Sequence, residues 1–165
     1  TEGLIHLGGT ISPFNAWLIQ RGLATLPIRM AAHEKNAIEV ASFLEQHGAV
    51  DGVLYPGLPS HPQHELARVQ MDNFSGMVSI RVNNGEALAV KFAQELKVFH
   101  YAVSLGHHRS LIYWIGTNDL VASSYQITGK QLRSYREMAG DGVFRISVGL
   151  EDPSDLCEDL DQVLR

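Results

Sequence analysis

Cysteine is nearly missing from this chain: Cys157 is the single one in 165 residues, so no internal disulfide can form, and the expected compartment is the reducing cytoplasm. No run of about 18 apolar residues occurs, which excludes a membrane-spanning helix. The opening stretch TEGLIHLGG is too short and too rich in glycine for the apolar core of a signal peptide. Lys and Arg number 13 against 18 Asp and Glu, a formal charge of -5, and no basic stripe runs along a helix. Nucleic acid and anionic membrane surfaces are therefore poor partners. Gly8 and Gly9 follow no strand and lack the G-x-G-x-x-G or P-loop spacing of a phosphate cradle, and no G-x-S-x-G elbow is present.

What the chain does have is enough apolar substance for one core: 45% hydrophobic residues against 19% charged. Ser12 and Pro13 suit the N-cap and first position of a helix over SPFNAWLIQRG, with Gly22 to close it. A longer helix is expected after Pro27, where Ala37, Val40, Ala41 and Leu44 recur at helical spacing and Gly48 offers a left-handed stop. VDGVLYPGL reads as a strand ending at Pro56. Ser60 and Gln63 form a capping box for another helix.

Further along, GMVSIRV alternates with Val78, Ile80 and Val82 on one face. Leu88, Ala89, Phe92, Ala93 and Leu96 make a helical stripe facing the core. VFHYAVS, RSLIYWI and GVFRISVG are strand candidates, and residues 116–140 read as loop with short helix. Asp152 and Pro153 begin a last helix whose apolar face is Leu156, Leu160, Val163 and Leu164. Alternating strands mixed with helices predict an α+β fold: a largely antiparallel sheet with helices on one face.

Two groups of residues invite a chemical reading. His61, His64 and Glu65 crowd one turn, and His107 and His108 are adjacent, but the spacing is not H-E-x-x-H and neighbouring helical residues face different ways. The expected roles are capping and surface, with no metal site. Arg145 is different, because it stands at the centre of the strand GVFRISVGLED, on the face of Val143 and Ser147, opposite Phe144, Ile146 and Val148. One use of such a cation is packing, with its stem buried and its head in water. The other is a carboxylate clamp: a planar fork of donors matches two carboxylate oxygens, and a strand holds it rigidly. Ser104, at the end of another strand, is placed to join it. Periodicity leaves both uses open.

The segments SPFNAWLIQRGLATLPIRM, YPGLPSHPQHELARVQM, GMVSI, AVSLG and RISVGLED, in that order, resemble the C-terminal part of the pyridoxal-phosphate enzymes of cysteine and methionine metabolism. That group holds methionine γ-lyase, cystathionine γ-lyase, cystathionine γ-synthase and the O-acylhomoserine sulfhydrylases. The resemblance implies the small C-terminal domain of a fold-type I enzyme, with residues 1–26 a connecting segment and helix from a missing large domain and residues 27–165 the small domain. It implies pyridoxal 5'-phosphate as cofactor of the intact enzyme, a sulfur amino acid as substrate, and a homodimer or homotetramer.

By motif, Arg145 matches the arginine that holds the substrate α-carboxylate and Ser104 a serine beside it. The family's cofactor lysine lies in an S-x-T-K-like segment, which is lacking around Lys35, Lys91, Lys97 and Lys130. The chain on its own is therefore expected to be inactive. Where the family commonly reads S-L-G-G-x-E-S, this sequence reads SLGHHRS. Arg109 thus joins the substrate-binding candidates, favouring a distal end that is neutral or acidic over an ammonium. The family's Thr-His pair has no clear counterpart in IYWIGTNDLVASSY. Two other functions remain in view: a noncatalytic carboxylate-binding or interaction domain, and a metal-dependent hydrolase built on the histidines.

Overall fold

The computed structural model describes residues 8–125 and 127–165; residues 1–7, most of the TEGLIHLGG stretch, lie outside the described part. Ser12 caps the first helix, α1 (Pro13–Leu23), its hydroxyl accepting from the Asn15 amide at 3.3 Å. Gly22 does not end this helix. The Arg29 guanidinium reaches back to the Gly22 carbonyl at 2.8 Å, so a downstream side chain takes the free helix-end acceptor. α2 (Leu26–Glu45) follows. It closes by tightening, with Gln46 N on Phe43 O and His47 N on Leu44 O, both at 3.2 Å, and Gly48 stays out of the left-handed region.

β1 (Gly52–Leu54) stops short of Pro56, because Tyr55 turns into the core, where it is fully buried and its hydroxyl donates to the Ser75 carbonyl at 2.8 Å. Burial holds this phenol well above its ordinary pKa. The Ser60 capping box does not form. The Ser60 hydroxyl donates to Glu45 instead, the Gln63 amide goes to His61 Nδ1 at 3.2 Å, and α3 begins only at His64 (His64–Gln70).

β2 (Met77–Arg81) is followed by α4 (Gly85–Glu95), β3 (His100–Tyr101) and β4 (Leu111–Gly116). In α4 the apolar stripe is narrower than its sequence suggests: Ala89 and Phe92 are buried, whereas Ala93, one residue further round the helix, is exposed. Residues 116–140, expected to be loop and short helix, hold two helices among the described residues, α5 (Thr117–Ala122) and α6 (Gly129–Ala139). Gly140 ends α6 at φ 60°, a conformation glycine adopts without a Cβ clash. Thr117 then ties the start of α5 to this turn through Gly140 O and Asp141 O, both at 2.8 Å. β5 (Gly142–Ser147) and α7 (Pro153–Leu164) complete the fold.

The five strands lie in the order β1-β2-β5-β4-β3. All neighbours are antiparallel except β3 and β4, which run parallel. This is the mixed α/β architecture with a mostly antiparallel sheet expected from the alternating strands. α2, α4 and α7 cover one face, where Val78, Ile80, Ile112, Phe144 and Ile146 join Val40, Leu44, Phe92, Leu156 and Leu160 in one core. Phe92 meets Phe144 edge-on, ring centres 4.8 Å apart. On the same layer Asp159 of α7 is 4% exposed. It accepts from the amides of Lys97, Val98 and Phe99, each at 2.9 Å, and so fastens the link between α4 and β3.

Trp114 packs at the end of the sheet against two bare glycines. A Cβ on Gly142 would lie 2.5 Å from the Trp114 ring and 2.6 Å from the Ile115 carbonyl oxygen. Gly142→Ala should therefore destabilise the protein by about 1–3 kcal/mol, through overpacking. A denaturant titration with an unshifted midpoint would show that the ring and strand yield freely.

Candidate functional site

The second sheet face carries Arg145. Register places Ser79 of β2 on one side of it and Tyr113 of β4 on the other, so the cation stands at the centre of the middle strand. Neither packing alone nor free solvation describes its surroundings. Arg145 is half-buried, and its Nη2 donates to the Val103 carbonyl and, at 3.3 Å, to the Ser104 carbonyl. Among the described residues no carboxylate lies within ion-pair distance of it. The guanidinium is thus braced by neutral acceptors and keeps its charge uncompensated, which is what an anionic ligand requires.

Arg145 and Ser104 are brought together as their sequence positions suggest, through the Ser104 backbone. Arg109 is not part of this contact. Its Nη1 lies 3.3 Å from His100 Nε2, in a recess of about 400 Å³ lined by Val98, His100, His108, Arg109, Leu150 and Glu151. A larger cavity, about 810 Å³, sits at the Trp114 end of the sheet, with Arg81, Asn84, Glu86, Asp119 and Asp141 in its wall. Neither concavity is lined by Arg145 or Ser104.

The loop bearing Ser104 is fixed by residues that sequence reasoning passed over. Ser110, fully buried, donates its amide to Glu151 Oε1 and its hydroxyl to Glu151 Oε2, both at 2.8 Å. It also accepts from the Gly149 amide at 2.7 Å. His33 Nδ1 lies 2.7 Å from the Val148 carbonyl, and Asn36 Nδ2 donates to the carbonyls of Gly149 at 3.1 Å and Glu151 at 2.8 Å. The one signal for this network was the proximity of Glu151 to Arg145 in RISVGLED.

The histidines do local work. His64 Nδ1 is 2.8 Å from the Pro56 carbonyl and its ring stacks on Phe74, while His107 Nδ1 accepts the Arg109 amide at 3.2 Å. Among the described residues no three of His, Cys, Asp and Glu gather as a metal-binding group. Lys35, Lys91, Lys97 and Lys130 are all exposed, and Lys91 Nζ donates to the Val163 carbonyl at 3.1 Å. None of the four lysines lines either concavity.

A family model described as Cys/Met metabolism PLP-dependent enzyme matches residues 4–165. The sequence is 46% identical over 157 residues, 95% of the chain, to a cystathionine gamma-synthase of Mycobacterium leprae (strain TN). It is 44% identical over 163 residues, 96% of the chain, to a cystathionine gamma-lyase of Sus scrofa. The chain spans 38% of the length of each. A crystal structure of cystathionine gamma synthase from Xanthomonas oryzae pv. oryzae in complex with cystathionine matches with a TM-score of 0.77 at 37% identity, over 96% of this chain and 39% of that one. The chain belongs to the family of PLP-dependent enzymes of cysteine and methionine metabolism, and its mixed α/β fold is that of their fold-type I architecture.

Proposed function

We propose that this chain is the C-terminal part of a PLP-dependent C–S lyase or γ-elimination/γ-replacement enzyme, in which Arg145 holds the α-carboxylate of a sulfur amino acid. The observation that carries this is the guanidinium itself, on a central strand, braced on two carbonyls and free of any carboxylate partner among the described residues. A carboxylate gripped at both oxygens loses its freedom to turn, which fixes the bonds at the substrate Cα relative to the rest of the site. Pyridoxal phosphate, when bound, supplies the electron sink for that chemistry. Ser104, whose carbonyl accepts from the same guanidinium, is assigned as a second substrate-binding residue in this proposal.

On this reading the lysine that anchors the cofactor comes from a large domain outside this chain, and the isolated chain is inactive. Residues 1–26 are then the connection to that domain, and residues 27–165 the small domain. α1 fits the part, since it buries none of its residues and exposes Phe14, Trp17, Leu18 and Ile19. A homodimer or homotetramer working in the cytoplasm completes the proposal. No helix among the described residues is long and apolar enough to cross a membrane.

The decisive test is competition on the intact polypeptide between an amino acid and the amine left when its carboxylate is removed. The amino acid should bind and the amine should not, and the gap should close in Arg145→Ala. Arg109 belongs to the same proposal as a selector for the distal end. Because it is exposed, Arg109→Glu should raise relative kcat/KM for a substrate with a distal ammonium by only about two- to fivefold. Equal ratios in variant and parent would remove Arg109 from the site.

A further inference from the structure

Arg145 depends on where the loop 103–110 lies, because the carbonyls that brace it belong to that loop. The loop is stitched to the segment following Arg145 along its length. The Gly106 amide donates to Ser147 Oγ at 3.0 Å, the Leu150 amide to the His108 carbonyl at 2.8 Å, and the Gly149 amide to Ser110 Oγ at 2.7 Å. At the root of the loop the Glu151 carboxylate spends both oxygens on one residue, Ser110, taking its amide and its hydroxyl at 2.8 Å each. Gly149 allows the close approach. A Cβ there would stand 2.3 Å from Glu151 Oε2 and 2.5 Å from both the His108 carbonyl oxygen and the Ser110 nitrogen.

We infer that Glu151 is a positioning residue for the carboxylate clamp, an inference that rests on Arg145 being the group that receives the substrate carboxylate. By holding Ser110 at two points, Glu151 sets the height of the loop over the sheet, and with it the Val103 and Ser104 carbonyls that aim the guanidinium. A carboxylate suits this task because it only accepts, and both hydrogens offered by Ser110 need acceptors. Glutamine keeps one acceptor and presents a donor in place of the other. Alanine removes both and leaves the Ser110 amide and hydroxyl without partners inside the protein.

The test is a double-mutant cycle on the intact polypeptide with its cofactor, read by calorimetric binding of glycine and by amide hydrogen exchange rather than by turnover alone. Glu151→Ala should weaken glycine about tenfold where Arg145 is present and add nothing in an Arg145→Ala background, because both changes act through one clamp. Exchange at Gly106 and Leu150 should quicken, and Glu151→Gln should recover part of the affinity. Should Glu151→Ala fail to fold, Ser110→Ala, which keeps the amide bond to Glu151, should show the same coupling at smaller size.

Two results would overturn the inference while leaving Arg145 in its role. One is unchanged glycine binding in Glu151→Ala beside a clear loss in Arg145→Ala. The other is two losses that multiply. Undiminished binding in Arg145→Ala would instead remove the carboxylate reading, and the positioning role with it.

Discussion

Arg145→Ala should lower the affinity of the intact polypeptide for an amino acid by about two to three orders of magnitude, the scale of losing a two-point, charge-assisted carboxylate contact. Stability should change little. The head of Arg145 is bound to Val103 and Ser104, both exposed, so water can replace it at their carbonyls when it is gone. That contrast separates a binding role from a packing one. Arg145→Lys should fall between the parent and alanine, since an ammonium restores the charge but not a planar fork able to meet two carbonyls on one side and a carboxylate on the other. Calorimetry on the three proteins, beside their denaturation midpoints, measures both quantities. Equal affinities would leave Arg145 as a loop fastener only.

The second large effect is structural. Asp159→Ala should cost about 3–5 kcal/mol, because it deprives the amides of Lys97, Val98 and Phe99 of their acceptor where two of the three residues are shielded from water. A domain's whole stability is only about 5–15 kcal/mol. Asp159→Asn keeps one acceptor oxygen and should lose less. Urea unfolding monitored by the tryptophans gives the difference, and a midpoint within experimental scatter of the parent would show that the 97–99 turn re-forms around other partners. Because this turn leads into β3, its loosening should also reach His100 and the recess beside Arg109.

Much of this was legible from pattern. Parity along GVFRISVGLED placed Arg145 opposite Phe144 and Ile146, and the register with Ile80 and Ile112 keeps it there. Ser12, Pro13, Asp152 and Pro153 announced their helices because caps are local chemistry. What escaped was whatever depends on residues distant in sequence. Ser60 looked like a cap, but Glu45 claimed its hydroxyl across 15 residues. Gly22 looked like a stop, but Arg29 supplied the closing contact. Glu151 drew no assignment from the sequence, because Ser110, its partner, lies 41 residues away. Short helix was expected somewhere in 116–140 but not placed, although Leu132, Tyr135 and Ala139 recur at helical spacing on the covered side of α6.

The order of the strands carries a consequence for biosynthesis. β1 pairs with β2, and β3 with β4, yet the two ribbons do not touch each other in the sheet; β5 joins them. A nascent chain leaving the ribosome N-terminus first must hold two marginal two-stranded pieces apart until the last strand emerges and slides between them. Arg145 rides on that strand, so the cation reaches its resting place only in the event that completes the sheet.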